Sequence, residues 1–266
     1  MGKQYAKDFT TKELIAAFLA RDFEDGEILQ VGANQPIARA AVLLAHLTHG
    51  PNIKVGISYS RTNLLNVDVL EPFELSTDFR AAKWAEYYYR DFETMVHLKS
   101  RLNSRFFIGA LQIDPYGNSN LIGIGNDFKR LKLRGPGGIG APTISGFTKC
   151  YYLLVNSHNR RIFVEKCDFI SAIGFGDGSP DYRGKMGLAG GGPRYCVTPL
   201  SIMDFDEKTR RMRLKSIHPG ITVNQVVENT GFELILPKEI PFTESPTEEE
   251  IEIFRTRVDV EGLLRK

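Results

Sequence analysis

The stretch EILQVGANQPIARAAVLLAHLTHGPNIKVGISYS, residues 27–60, decides the fold class. Ile28, Leu29 and Val31 make a short apolar strand that ends at Gly32. Pro36 then opens an apolar run at helical spacing, and Gly50 stands just past its end. This is the expected asymmetry, because proline lacks an N–H that a helix start leaves unbonded anyway, whereas glycine suits the reversal at the C-terminus. NIKVGISYS, 52–60, reads as the next strand. A strand, a helix and a second strand in succession predict a crossover between parallel strands, hence an open, mostly parallel sheet flanked by helices.

The flanks extend this α/β pattern. TTKELIAAFLARDF, 10–23, has apolar residues at helical spacing behind Thr10 and Thr11, both able to cap. FETMVHLKSRL, 92–102, is again helical, and RFFIGALQI, 105–113, returns as a strand. The second half is β-rich: CYYLLVNSH, RRIFVEKCDFI and RYCVTPLSIMDFD are separated by turn signals, TRRMRLKSIHPG is a hairpin return and FELIL a last strand. Thr222 caps a short helix, and Pro246 with three glutamates opens the final one, where acidic side chains suit the positive end of the helix dipole. The whole chain, 1–266, reads as one domain, with a lobe junction, if present, near 126–136.

Composition excludes several classes. With 266 residues, 42% of them apolar and 25% charged, the chain can bury a full core. A formal net charge of +2, spread along the sequence, argues against nucleic acid or an anionic membrane as partner, although a local basic pocket could serve a phosphorylated small ligand. Neither a signal core nor a spanning apolar run occurs, so a cytoplasmic protein is expected. Cys150, Cys167 and Cys196 are widely spaced, and His46 and His49 lie at a helix end, where capping outranks ligation, so no metal site is expected.

Two loops carry the candidate chemistry. In IGALQIDPYGNSNLIGIG, 108–125, an apolar strand runs into Gln112 and Asp114, turns through Pro115-Tyr116-Gly117 and leaves with Asn118 and Asn120. The turn chemistry is plain: Pro115 presets φ, Gly117 can take positive φ, and Asp114 can cap the turn. The polar groups also gather at the carboxyl end of a strand, the edge where open α/β sheets hold ligands. RGPGGIGAPT, 134–143, follows as a glycine loop. It is a poor nicotinamide fingerprint, since it does not join an early strand to a helix with an acid some twenty residues on.

GALQIDPYGNSN, RGPGGIGAPT and VTPLSIMDFDEKTRRMRLKSIHPGITVNQVVENTGFEL, in that order, resemble the β subunit of the family I coenzyme A transferases, in particular the glutaconate coenzyme A-transferase B type. The resemblance runs from about Gly26 to the last helix. It implies a NagB/RpiA/CoA transferase-like fold, a separately encoded homologous α subunit in an α₂β₂ heterotetramer, and an active site between the subunits. It further implies that coenzyme A enters as part of the substrate, with no cofactor bound. Gly135, Gly137, Gly138 and Gly140 match the family's glycine loop, whose amides contact the thioester or its oxyanion, and Arg134 beside them suits a coenzyme A phosphate. Gln112, Asn118, Asn120 and Arg194 are substrate candidates; the first three could equally satisfy strand ends within the turn.

The family's nucleophile is a glutamate in a V-E-S-G motif, and here its position falls at about Gly56 in IKVGISYS. No acidic residue occurs between Gly50 and Val67, and Glu71 and Glu74 come too late. RDFETM, RRIFVEKCDFISAIGF and SIHPGITVNQV are similar instead to the β subunit of the steroid-ring CoA hydrolases. That branch opens a ring of a CoA-linked cyclic ketone with water, using a glutamate base from the partner subunit. Transfer with the glutamate supplied elsewhere and a purely structural role are the alternatives. Trp84, Glu86 and Glu93, in an aromatic-rich segment, could line a pocket or face the α subunit or solvent.

Overall fold

The computed structural model describes residues 3–32, 35–57, 60–63, 87–88, 102–138 and 140–266, with the backbone alone at 57, 60–63 and 87–88. It divides into two compact units, Met1–Phe107 with Glu244–Lys266, and Ile108–Thr243. Segment 126–136 lies inside the second unit. Trp84, Glu71, Glu74, Glu86 and Glu93, and the expected helix over 92–102 except its last residue, fall outside the described residues.

The first unit contains α1 (Thr11–Ala20), β1 (Ile28–Gln30), α2 (Pro36–Thr48), β2 (Lys54–Ile57), β3 (Ser60–Asn63), β4 (Tyr87–Tyr88) and β5 (Ser104–Ile108). Thr10 caps α1 in a capping box, its hydroxyl taking the Glu13 N–H while the Glu13 carboxylate takes the Thr10 N–H at 2.7 Å. Pro36 occupies the first turn of α2, and the Gly50 N–H closes its end on the Ala45 carbonyl at 2.7 Å. β1 is parallel to both neighbours, Leu29 lying opposite Val55 on β2 and Arg105 on β5. The predicted crossover is therefore present, and Leu14, Leu19, Leu29, Leu44 and Ile53 form the buried core around it.

NIKVGISYS is not one strand. Its last residue, Ser60, belongs to β3, which pairs antiparallel with β2, Gly56 opposite Arg61 and Ile57 opposite Ser60. A strand buried between parallel neighbours needs a continuous apolar run, and the polar sequence after Ile57 does not supply one. The parallel character of this sheet therefore ends at β2.

The second unit holds β6 (Gln112–Ile113), β7 (Ser119–Asn120), β8 (Gly123–Ile124), β9 (Leu133–Arg134), α3 (Ala141–Phe147), β10 (Cys150–Leu154), α4 (Tyr182–Lys185), β11 (Pro193–Val197), β12 (Ser201–Phe205), β13 (Met212–Ile217) and α5 (Val223–Glu228). Its sheet runs β10-β11-β12-β13; the first pair is parallel and the rest antiparallel. Two small hairpins, β6 with β7 and β8 with β9, stand apart from it.

RRIFVEKCDFI and FELIL are not strands. Each makes one isolated bridge, Ile113 to Phe163 and Arg213 to Ile235. What holds them is burial: Phe163 is fully buried, stacked on His158 at 4.2 Å between ring centres, with Phe232 6.3 Å away. RFFIGALQI likewise breaks between Ile108 and Gln112 into β5 and β6.

The tail returns to the first unit as α6 (Glu248–Ile253), continued by a π-helical turn over Phe254–Val258. Thr247 caps α6 with Glu250 in another capping box, so Pro246 lies just outside the helix rather than in its first turn. Arg21 and Arg255 fasten it, Arg21 to the Glu250 carboxylate at 2.8 Å and Arg255 to the fully buried Glu13 at 3.0 Å.

His158 is wedged between the hydroxyls of Thr198 and Thr230, each 3.0 Å away, and burial depresses its pKa to about 4. Burial acts on Asp114 in the opposite sense, raising its pKa to about 6 although Asn118 and two backbone amides donate to it. A depressed histidine loses its contribution to stability as pH falls from 6.5 towards 4; a raised carboxyl contributes stability below 3.8 that is lost as pH rises through about 6. The two oppose each other over pH 4–6. Asp114→Asn removes one of them, so acidification from pH 7 to 4 should cost the variant more than the natural chain, by on the order of 2–3 kcal/mol. Urea unfolding at successive pH values measures this, and parallel pH curves would contradict it.

Candidate functional site

The turn after β6 is built by its own polar groups. Asp114 Oδ1 accepts the N–H of Tyr116 at 2.9 Å and of Asn118 at 3.0 Å, while Gly117 takes φ +71°. Asn118 then uses all four of its hydrogen-bonding positions. Its Nδ2 donates to Asp114 Oδ2 and to the Gly176 carbonyl, both at 2.7 Å, and its Oδ1 accepts from the amides of Gly174 at 2.9 Å and Gly176 at 3.3 Å. Asn120 is equally occupied: Nδ2 donates to Gln112 Oε1 and the Gly123 carbonyl at 2.7 Å, and Oδ1 accepts from Ile122 at 2.9 Å and Gly123 at 3.3 Å. Both asparagines are buried with nothing left over, so the geometry makes them builders of the loop. Gln112 differs. Its Oε1 is filled by Asn120 and by the Asp168 N–H at 3.0 Å, whereas its Nε2 has no intramolecular acceptor among the described residues.

The glycine loop is pinned at its first glycines. Gly135 N–H bonds the Ile122 carbonyl at 2.8 Å and Gly137 N–H that of Leu121 at 2.9 Å. A Cβ at Gly135 would overlap the Leu121 carbonyl oxygen; at Gly137, with φ +91°, it would meet nothing within 4 Å. The Gly138 and Gly140 carbonyls accept from Ala141 and Ile144 at the start of α3, but their own N–H groups bond no acceptor among the described residues. Gly138 is half-buried and Gly140 buried, so each is a backbone donor left without an acceptor among the described residues, the kind of group that stabilises an oxyanion. Gly135→Ala should displace this loop and lower kcat/KM of the assembled enzyme by about a hundredfold, since sub-ångström positioning is at stake. Steady-state turnover of the assembled enzyme checks it, and a variant as active as the natural chain would contradict it.

Arg134 is exposed on β9, its guanidinium 5.7 Å above the Phe128 ring. Arg194, also exposed, lies 5.2 Å over the ring of Tyr195 on β11. Gly56 sits within β2 in the first unit, its carbonyl accepting the Val31 N–H at 3.3 Å.

Two further residues, one in each unit, carry no sequence signal strong enough to single them out. Gln35 precedes α2 without capping it, at the carboxyl side of β1, and its Oε1 is buried with no partner among the described residues. The only hint is a glutamine where a capping Ser, Thr or Asp is usual. Arg183 is buried and its guanidinium meets backbone carbonyls alone: Ser145 at 2.6 Å, Gly174 at 2.8 Å, Gly190 at 2.9 Å and Ile173 at 3.0 Å. It ties α3, and with it the glycine loop, to the segment that Asn118 holds. Among the described residues no cluster of His, Cys, Asp and Glu could hold a metal ion, and no helix is long and apolar enough to cross a membrane.

The coenzyme A transferase family model matches residues 12–229, which includes both loops. The chain belongs to that family. Among its relatives, the B subunit of 3-oxoadipate CoA-transferase from Pseudomonas knackmussii is 33% identical, over 93% of this chain and 92% of that protein. The cholesterol ring-cleaving hydrolase IpdB subunit of Mycobacterium tuberculosis is 28% identical over 96% of each. The crystal structure of glutaconate coenzyme A-transferase from Acidaminococcus fermentans superposes with a TM-score of 0.85 at 28% identity, covering 99% of each chain. The coenzyme A transferase fold expected from the sequence, with its mostly parallel sheet and flanking helices, is thus the one observed.

Proposed function

We propose that this chain is the β subunit of a two-subunit coenzyme A transferase-family enzyme that opens a ring of a cyclic keto acyl-CoA with water. The observation that carries this reading is the missing acid: between Gly50 and Val67, where the family's nucleophilic glutamate belongs, no Asp or Glu occurs. Glycine at about position 56 can form no acyl anhydride or enzyme thioester. A glutamate of the α subunit is the base, taking a proton from water as the water oxygen bonds the ring ketone carbon. The adjacent C–C bond breaks, its electron pair passes to the neighbouring carbon as an enolate, and that carbon takes up a proton. One carboxylate forms and the thioester survives.

This chain's share is binding and charge stabilisation. The Gly138 and Gly140 amides face developing negative charge, Gly135 and Gly137 shape the loop, Gln112 Nε2 offers a donor to substrate, and Arg134 meets a phosphate of coenzyme A. Arg194 is a further substrate contact, and coenzyme A belongs to the substrate, with no resident cofactor. The enzyme works in the cytoplasm as an α₂β₂ assembly. The hydrolase relative supports this reading, while the 33% identity to a 3-oxoadipate CoA-transferase chain keeps transfer as the second.

Trapping separates the two. The co-purified complex is incubated with acyl-CoA and no acceptor, reduced with borohydride and weighed by intact-protein mass spectrometry. Hydrolysis predicts both subunits at their unmodified masses. A coenzyme A adduct on either subunit before reduction, or a glutamate converted to its alcohol after it, would establish transfer.

A further inference from the structure

The hairpin that leads into the glycine loop carries charge that its own unit leaves unused. Lys129, Arg130, Lys132 and Arg134 follow one another closely and all are exposed. Two acids meet the hairpin through its backbone: Asp127 accepts the Lys129 N–H at 2.9 Å, and Asp168 accepts the Gly125 N–H at 2.7 Å. None of the four cations forms an ion pair among the described residues. Arg134 lies on β9 and Lys132 on the bend that leads into it. Beside them Phe128 is 57% exposed, an aromatic surface with Arg134 over one face and Phe169 edge-on at 6.3 Å. Like charges this close repel one another, a cost that a polyanionic ligand relieves.

We propose that this hairpin, residues 123–134, binds the 3′-phosphoadenosine diphosphate end of coenzyme A, with Lys129, Arg130 and Lys132 meeting its phosphates and Phe128 offering a surface for the purine. The inference rests on the acyl-CoA reading above and adds where the nucleotide lies. Arg134 continues directly into Gly135, so the thioester end at Gly138 and Gly140 and the nucleotide end at the hairpin form one track. By chain length the tip at Lys129 is at most about 20 Å from Gly135, a reach that the pantetheine arm and diphosphate can span. Exposed charge–phosphate contacts of this kind weaken with salt.

The test is calorimetric titration of the assembled two-subunit enzyme with coenzyme A and with 3′-dephospho-coenzyme A, for the natural chain and for Arg130→Glu combined with Lys132→Glu. The natural enzyme should bind coenzyme A about tenfold tighter than the dephospho form. The variant should lose roughly tenfold per reversed charge and nearly all preference for the 3′-phosphate. Unchanged affinity in the variant, or no preference in the natural enzyme, overturns the proposal. A variant that folds by circular dichroism but no longer assembles overturns it too, by showing an interface between subunits. A natural enzyme that binds neither ligand overturns the acyl-CoA reading itself, and this inference with it.

Discussion

Arg105→Ala should destabilise the protein by about 3–5 kcal/mol, the usual cost of removing one partner from a buried ion pair. Arg105 is 2% exposed on β5, and its guanidinium is shared among three acids of the loop before β1. Nε meets the Glu27 carboxylate at 2.8 Å, and the other nitrogens reach Asp22 at 2.8 Å and Glu24 at 3.3 Å. Glu27, itself only 4% exposed, would be left as a buried carboxylate without its guanidinium. Glu24 is largely exposed and adds little. Replacement of the whole set by apolar residues of similar volume would cost far less, because the penalty lies in the stranded charge. Urea denaturation with tryptophan fluorescence at Trp84 or far-UV circular dichroism reads the difference, and a loss below about 1 kcal/mol would show that the loop simply re-solvates Glu27.

Asn118→Ala should cost a similar amount in the second unit, about 3–4 kcal/mol, since it removes four hydrogen bonds and strands the groups that made them. Asp114 would lose its side-chain donor, and the Gly174 and Gly176 amides their acceptor. No alanine relaxation recovers these, because a Cβ at Gly174 would already overlap the Tyr116 carbonyl and the backbones there are in close contact. Asn118→Asp is the sharper variant: it keeps the acceptor but sets a carboxylate against Asp114. Its loss should therefore shrink as pH falls below about 6, where Asp114 takes up a proton. Thermal unfolding at pH 5 and pH 8 compares them.

The sequence was legible wherever the determinant is local. Capping at Thr10 and Thr222, the Pro36 start and Gly50 stop, and the Asp114–Gly117 turn each depend on groups within a few residues, and each stands as read. Reading failed where a distant partner decides. The reversal of β2 into β3 depends on what flanks the sheet edge, and Phe163 and Phe232 are placed by mutual burial rather than by a ladder with a period of two. Of the candidate site, the glycine loop was visible because glycines mark close backbone approach, which Gly135 makes against Leu121. Arg183 was invisible for the opposite reason: its partners are four main-chain carbonyls, which leave no trace in side-chain identity. Asn118 and Asn120 were seen as polar groups at a strand end, but only their bond counts separate loop construction from ligand contact.

In the proposed reaction water, rather than a glutamate of this chain, attacks the substrate. The most direct measurement is turnover of a cyclic keto acyl-CoA by the assembled complex in ¹⁸O-water, with mass analysis of the product. One ¹⁸O is expected in the new carboxylate of a ring-opened product that still carries coenzyme A. Coenzyme A moved onto an added acid, with the ring intact, would contradict it.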